Sequence, residues 1–242
     1  MLYSRYQMEG GLAMKTEMTE LVFILDKSGS MGGLERDTIG GFNAMLEKQQ
    51  AVEGPCRVTT VLFDTHYALL HDGLEIETVK PITEKEYFVG GSTALLDAIG
   101  YTVYRIDNKQ MKNVENRRAD KVMFVIITDG EENSSREYSA QDIRQIIENR
   151  KQRCGWEFIF LGANIDAAGT AERLGIDRKR AQNFVADSEG VQENFNAIHL
   201  AACRLRETGA ISDEWNESIE KNYEKPRQKG ETTDTLTIRV KK

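Results

Sequence analysis

Two stretches of the chain are apolar on both faces. Leu21 to Leu25 runs unbroken into Asp26, and Val122 to Ile127 runs into Thr128 and Asp129. A half-exposed strand alternates apolar and polar residues, so unbroken runs of this length read as strands buried in a parallel sheet. Arg57 to Asp64 is rich in β-branched residues, Trp156 to Leu161 forms another strand, and a short one is predicted near Asn183-Phe184-Val185. Tyr67 to Val79 is a further extended stretch, reached from Asp64 through Thr65 and His66. So short a link predicts an antiparallel hairpin, because a parallel crossover needs about a dozen residues or more.

Between these strands the period changes to that of a helix. Ile39, Phe42, Met45 and Leu46 predict a helix over 35–50, and Leu96, Ile99, Val103 and Ile106 predict a second. Ser139 and Asp142 have capping-box spacing ahead of Ile143, Ile146 and Ile147. A short helix is expected over 167–174, and a last one over 190–207 with Val191, Phe195, Ile198 and Leu205 inward. Gly40-Gly41 inside the first helix costs roughly 1 kcal/mol per residue against Ala, which predicts close approach of that helix to the sheet. Alternating strands and helices give an α/β class: a doubly wound, Rossmann-like, mostly parallel six-stranded sheet with one antiparallel edge strand.

This pattern occupies residues 18–208. Residues 209–242 carry seven acidic and seven basic side chains, with Trp215, Ile219 and Tyr223 as one amphipathic stripe ended by Pro226. Leu236, Ile238 and Val240 alternate like a strand. Docking of this tail on the domain is expected, since an exposed Trp-Ile-Tyr stripe is a liability. Residues 1–13 are expected to be a misassigned or disordered extension. A purine-rich coding run for Glu9-Gly10-Gly11 would resemble a bacterial ribosome-binding site just upstream of Met14.

Composition narrows the function classes. A chain of 242 residues, 40% hydrophobic and 29% charged, suits one soluble domain with a sizeable core. A net charge of -7 repels a nucleic-acid backbone overall, so no nucleic-acid partner is expected. Cys56, Cys154 and Cys203 lie far apart without CxxC spacing, which disfavours a disulfide framework or zinc site and suits a reducing compartment. No apolar run approaches the ~20 residues that span a bilayer, and the start lacks the apolar segment of a secretory signal. The expected location is cytoplasmic, with no membrane partner.

The chemistry sits at strand ends. Asp26-Lys27-Ser28-Gly29-Ser30 directly follows a buried strand, Thr93 lies in the glycine-rich Gly90-Gly91-Ser92-Thr93 loop before a helix, and Asp129 ends a second buried strand. Ligands of open parallel sheets bind outside the carboxyl ends of the strands, where all three loops must gather. Their two carboxylates and three hydroxyls are hard oxygen donors, suited to Mg²⁺, Mn²⁺ or Ca²⁺ rather than zinc or copper. With only two carboxylates the ion keeps attraction for an outside carboxylate.

These motifs resemble the metal-ion-dependent adhesion site of von Willebrand factor A-type domains. DKSGS at 26–30 is similar to the family's Asp-x-Ser-x-Ser, GGSTALLDAIG at 90–100 to its threonine loop, and ITDGEEN at 127–133 to its second-aspartate loop. The resemblance covers roughly residues 18–208, fills all five positions, and is nearest to intracellular bacterial or phage members. It implies Mg²⁺ with Ser28 and Ser30 as direct ligands, and Asp26, Thr93 and Asp129 alternating between direct and water-mediated contact. It also implies non-enzymatic binding of a partner protein that presents Asp or Glu; some members act beside AAA+ ATPases.

Each feature has a plainer reading. Thr93 alone reads as a helix N-cap and Asp129-Gly130 alone as a turn; their joint order with Asp-x-Ser-x-Ser overturns both. Asp64 reads as a turn residue, Asp97 as a brace for its loop, and Glu131 and Glu132 as solvated carboxylates. His66, His71 and His199 are too scattered for a catalytic set. A metal-dependent hydrolase or phosphotransferase using Asp26 and Asp129 is the competing class. It is disfavoured because aspartyl-nucleophile phosphatases place a second Asp where Ser28 stands, and because Gly90-Gly91-Ser92-Thr93 lacks the GK[ST] ending of a phosphate loop.

Overall fold

The computed structural model describes residues 6–9, 12–15, 17–112 and 118–226. Strands β1 (Tyr6–Glu9) and β2 (Leu12–Lys15) pair antiparallel as a small separate hairpin that spans Met14. The main sheet has six strands: β3 (Thr19–Asp26), β4 (Cys56–Phe63), β5 (Tyr67–Glu75), β6 (Lys121–Thr128), β7 (Glu157–Gly162) and β8 (Ala181–Asn183). Their order is β5-β4-β3-β6-β7-β8. Every pairing is parallel except β4 with β5, the hairpin at the edge. The mostly parallel sheet with one antiparallel edge strand is the expected architecture. In detail, β5 stops at Glu75 and gives way to a 3-10 turn over Ile76–Thr78, and β8 is centred two residues earlier than Asn183-Phe184-Val185.

Among the described residues six α-helices accompany the sheet: α1 (Glu35–Gln50), α2 (Leu95–Lys112), α3 (Ala140–Cys154), α4 (Ala167–Arg173), α5 (Ser188–Thr208) and α6 (Glu217–Glu224). Successive strand side chains point to opposite faces, and that alternation divides the core in two. Leu21, Phe23 and Leu25 of β3 join Met123, Val125 and Ile127 of β6 against α1 and α5. Val22 and Ile24 join Val122, Phe124 and Ile126 against α2, α3 and α4. With both faces covered, β3 is buried at all eight positions, which is why its sequence does not alternate. The capping box of α3 forms as its spacing predicts, with Ser139 and Asp142 exchanging side-chain and backbone bonds.

Gly40-Gly41 has a different cause from the expected one. A Cβ at Gly41 would stand 2.3 Å from the Phe195 ring, so the close approach is to α5 and not to the sheet, while Gly40 faces open space. Beyond α5, Ile211, Trp215 and Ile219 are buried in the α1/α5 layer, and the Trp215 indole donates to the Lys179 carbonyl at 2.8 Å. Tyr223 departs from that stripe and is exposed. The strand expected over 236–240 lies outside the described residues. Among the described residues no helix is long and apolar enough to cross a membrane.

Candidate metal centre

Register places the two aspartates side by side. Leu25 pairs with Ile127, so β3 and β6 end together and deliver Asp26, Thr128 and Asp129 to one rim. After Asp26 the chain folds back through a 3-10 turn over Gly29–Met31. The Asp26 carboxylate is held at both oxygens: Oδ1 accepts the Ser28 N–H at 2.7 Å and Oδ2 accepts the Thr128 hydroxyl at 2.6 Å. From beneath, the Tyr87 hydroxyl donates to the Asp26 carbonyl at 2.5 Å.

Three hydroxyls gather above. Ser28 Oγ lies 3.0 Å from Ser30 Oγ and accepts from Thr93 Oγ1 at 3.1 Å. Gly130 closes the ring: a Cβ there would stand 3.1 Å from Ser30 Oγ and 3.6 Å from Thr93 Oγ1. Asp26, Ser28, Thr93 and Asp129 are buried and Ser30 is exposed, so the cluster opens to solvent on the Ser30 side. All five residues singled out in the sequence therefore meet.

Their electrostatics are unfinished. Burial pushes the Asp26 carboxyl above its usual range, outweighing the bonds from Thr128 and Ser28, and the neighbouring Asp129 charge adds to the rise. Burial likewise raises Asp129, against a bond from Ser30. Asp129 Oδ1 is buried with no hydrogen-bond partner among the described residues. Buried polar atoms normally find partners, and two buried carboxylates side by side are what a cation relieves. Among the described residues no group of three or more His, Cys, Asp or Glu side chains could hold a metal. The donors here are two carboxylates and three hydroxyls, a set that fits a hard divalent ion.

The supporting contacts were largely hidden in the sequence. The Thr93 N–H donates to Asn133 Oδ1 at 2.9 Å and the Asn133 N–H to the Thr93 carbonyl at 3.1 Å, zipping the threonine loop to the aspartate loop. Glu132 is not merely solvated: its carboxylate accepts from the backbone of Leu96, Ser134 and Ser135. Asp97, expected to brace its own threonine loop, instead braces the segment beyond Glu132, accepting from the N–H groups of Arg136, Glu137 and Tyr138. Asn164 holds a left-handed backbone at φ 56°, and its amide lies 3.5 Å from the Asp129 carbonyl. Asp64 is more than a turn residue. It forms a buried ion pair with Lys27, Nζ to Oδ2 2.5 Å, and the Lys27 amine sits 4.6 Å over the Phe88 ring. Burial alone would raise the Asp64 carboxyl, but the Lys27 and His66 bonds prevail and hold it below its usual range. His71 and His199 bond Thr60 and Gln49, away from the rim.

Comparison with known proteins agrees with this fold. The family model for the von Willebrand factor type A domain matches residues 20–197. No curated protein sequence matches the chain. Among solved structures, a von Willebrand factor type A protein from Catenulispora acidiphila is 15% identical with a TM-score of 0.53, covering 79% of this chain and 44% of its own. A variant of the PilB minor pilin from Streptococcus sanguinis is 13% identical with a TM-score of 0.54, covering 84% and 63%. Proximal thread matrix protein 1 from the mussel byssus, solved with a zinc-occupied MIDAS motif, is 12% identical with a TM-score of 0.51, covering 78% and 46%. The chain thus spans under two thirds of the length of these structures, and at such identities the likeness is one of fold.

Proposed function

The chain belongs to the von Willebrand factor type A domain family, and from that premise we propose that Asp26, Ser28, Ser30, Thr93 and Asp129 hold one divalent cation through which a partner protein is bound. Mg²⁺ is the preferred ion, with Mn²⁺ and Ca²⁺ as substitutes. The observation that carries the reading is the buried Asp129 Oδ1, without a hydrogen-bond partner among the described residues, beside three clustered hydroxyls that open to solvent at Ser30. Mg²⁺ takes oxygen donors and keeps several waters. Both Asp26 oxygens already accept a bond, which leaves that carboxylate suited to contact through water. When bound, the ion supplies a positive centre at the open side, and the ligand it selects there is a carboxylate. The partner therefore presents Asp or Glu. The zinc-occupied MIDAS of the mussel byssus protein supports metal binding on this fold.

We read the module as non-enzymatic. The amine carried by the Asp26–Ser30 loop, Lys27, is committed to Asp64, and His71 and His199 are engaged elsewhere. The test is thermal unfolding of the full chain as Mg²⁺ is titrated against EDTA. At a hundredfold excess over Kd, binding stabilises by about 2.7 kcal/mol. The wild type should gain this and Asp26→Ala should not; no gain in the wild type, or the same gain in the variant, removes the cation. Capture of a partner in Mg²⁺ that is lost in EDTA and in Asp26→Ala then tests the binding role. Mg²⁺-dependent turnover of a phosphoester that is lost in Asp129→Ala would replace it with hydrolysis.

A further inference from the structure

We propose that the buried Lys27–Asp64 pair sets the charge balance of the metal site, with Asp64 acting as a positioning residue that cancels the Lys27 charge and keeps it turned away from the cation. This rests on the reading that a cation binds the five-residue cluster.

Lys27 stands between Asp26 and Ser28, so an ammonium group is built into the metal loop itself. Its backbone is fixed on both sides: its N–H donates to the Phe63 carbonyl at 2.7 Å, and its carbonyl accepts the Gly90 N–H at 2.9 Å. The side chain runs to Asp64, where both partners are only 8% exposed, and Phe88 covers the amine. Asp64 is fixed in turn. Its Oδ1 accepts the His66 N–H at 2.6 Å and lies 3.2 Å from His66 Nδ1, and its carbonyl accepts the Ala94 N–H at 3.0 Å.

The threonine loop rests on this joint. The Gly29 N–H donates to the Gly91 carbonyl at 3.1 Å. A Cβ at Gly91 would stand 2.9 Å from Thr65 Oγ1 and 3.3 Å from Asp64 Cβ and Cγ, and the backbone there is left-handed at φ 71°. Three segments thus converge on the pair: the Asp26–Ser30 loop, the β4–β5 turn and the threonine loop.

A buried unit charge acts through a low effective dielectric, so its field on a neighbouring dication is far larger than in water. Unpaired, the Lys27 ammonium would repel the cation. Paired, it contributes little net charge, and Asp26 and Asp129 face the ion undiminished. A pair that served only as structural glue would make no distinction between losing its cation and losing its anion. Charge compensation does.

Mn²⁺ binding by the full chain, followed by calorimetry and by the paramagnetic resonance of free Mn²⁺, separates the two. Asp64→Asn should weaken Mn²⁺ by about tenfold, the scale of one uncompensated charge at partial burial. Lys27→Met should bind Mn²⁺ no more weakly than the wild type, and the double variant should return to within about threefold of it, as the restored charge balance requires. An Asp64→Asn variant with wild-type affinity, or a double variant as weak as Asp64→Asn, overturns the proposal. Should Asp64→Asn fail to fold, weaker Mn²⁺ binding by Lys27→Met does the same. Absence of Mn²⁺ binding by the wild type instead removes the cation site, and this inference with it.

Discussion

The Thr128 hydroxyl donates to Asp26 Oδ2 at 2.6 Å and so ties the end of β6 to the end of β3. Asp26 is wholly buried, so the bond both orients the carboxylate and satisfies one of its oxygens. Thr128→Val keeps the β-branched shape and removes the donor. Leaving a buried acceptor unsatisfied costs roughly 1–3 kcal/mol, so urea unfolding in EDTA should show a loss of that order, together with several-fold weaker Mg²⁺ binding. Thr128→Ser should keep both properties near wild type. A Val variant with unchanged Mg²⁺ affinity would mean that Asp26 needs no orientation from β6.

Gly130 faces the hydroxyls directly. A methyl group there would press on Ser30 Oγ at 3.1 Å, a contact tight enough to force a shift, and would sit at 3.6 Å from Thr93 Oγ1. Neither atom belongs to the hydrophobic core. Gly130→Ala should therefore lower Mg²⁺ affinity by about fivefold or more, while the metal-free unfolding free energy changes by no more than about 0.5 kcal/mol, as for substitutions away from the core. Calorimetric titration with parallel unfolding curves checks both halves. Equal affinity would show that the hydroxyl cluster tolerates displacement.

What could be read in the sequence was what burial dictates. The runs at β3 and β6 are unbroken because both faces of the sheet are covered, and a strand end followed by Asp carries its own address at the sheet rim. The five clustered residues were legible because each lies at such an end or in a glycine-rich loop. The second layer was not. Thr128 reads as one more β-branched strand residue, and Asn133 and Glu132 read as loop polarity, because their partners lie 102, 40 and 36 residues away. Gly41 shows the same limit. Composition signals a close approach, but only the packing of α1 on α5 identifies Phe195 as the neighbour.

That pair of glycines makes a prediction of opposite signs. Gly in a helix interior costs roughly 1 kcal/mol against Ala. At Gly40 nothing lies within 4 Å of an added Cβ, so Gly40→Ala should stabilise by up to about 1 kcal/mol. At Gly41 the Cβ would stand 2.3 Å from the Phe195 ring, in the layer where Phe195 also meets Phe42 edge to face at 6.3 Å. Overpacking of this kind typically costs about 1–3 kcal/mol, which outweighs the helix-propensity gain. Denaturant unfolding of the two variants should move in opposite directions, and stabilisation by both would mean that α5 slides freely on α1.

At the sheet edge, Asp72 of β5 is bound by both Arg105 and Lys109 of α2, with Arg105 Nε to Oδ1 at 2.9 Å. The Arg105 bond is the largest influence, opposed by partial burial and reinforced by Lys109, and it brings the Asp72 carboxyl down to about 2 from 3.8. A carboxyl depressed in the fold contributes stability that is complete above its unfolded pKa and is lost as pH falls through its folded one. The window here runs from about 4 down to about 2. The Asp72 side chain is 35% exposed, so solvent screening limits the contribution to about 1 kcal/mol or less. Asp72→Asn should thus be less stable than the wild type at neutral pH, and the difference should close between those two pH values. High salt should shrink it at every pH where it exists. A difference that stays constant through the acid range would assign the effect of Asp72 to packing instead of charge.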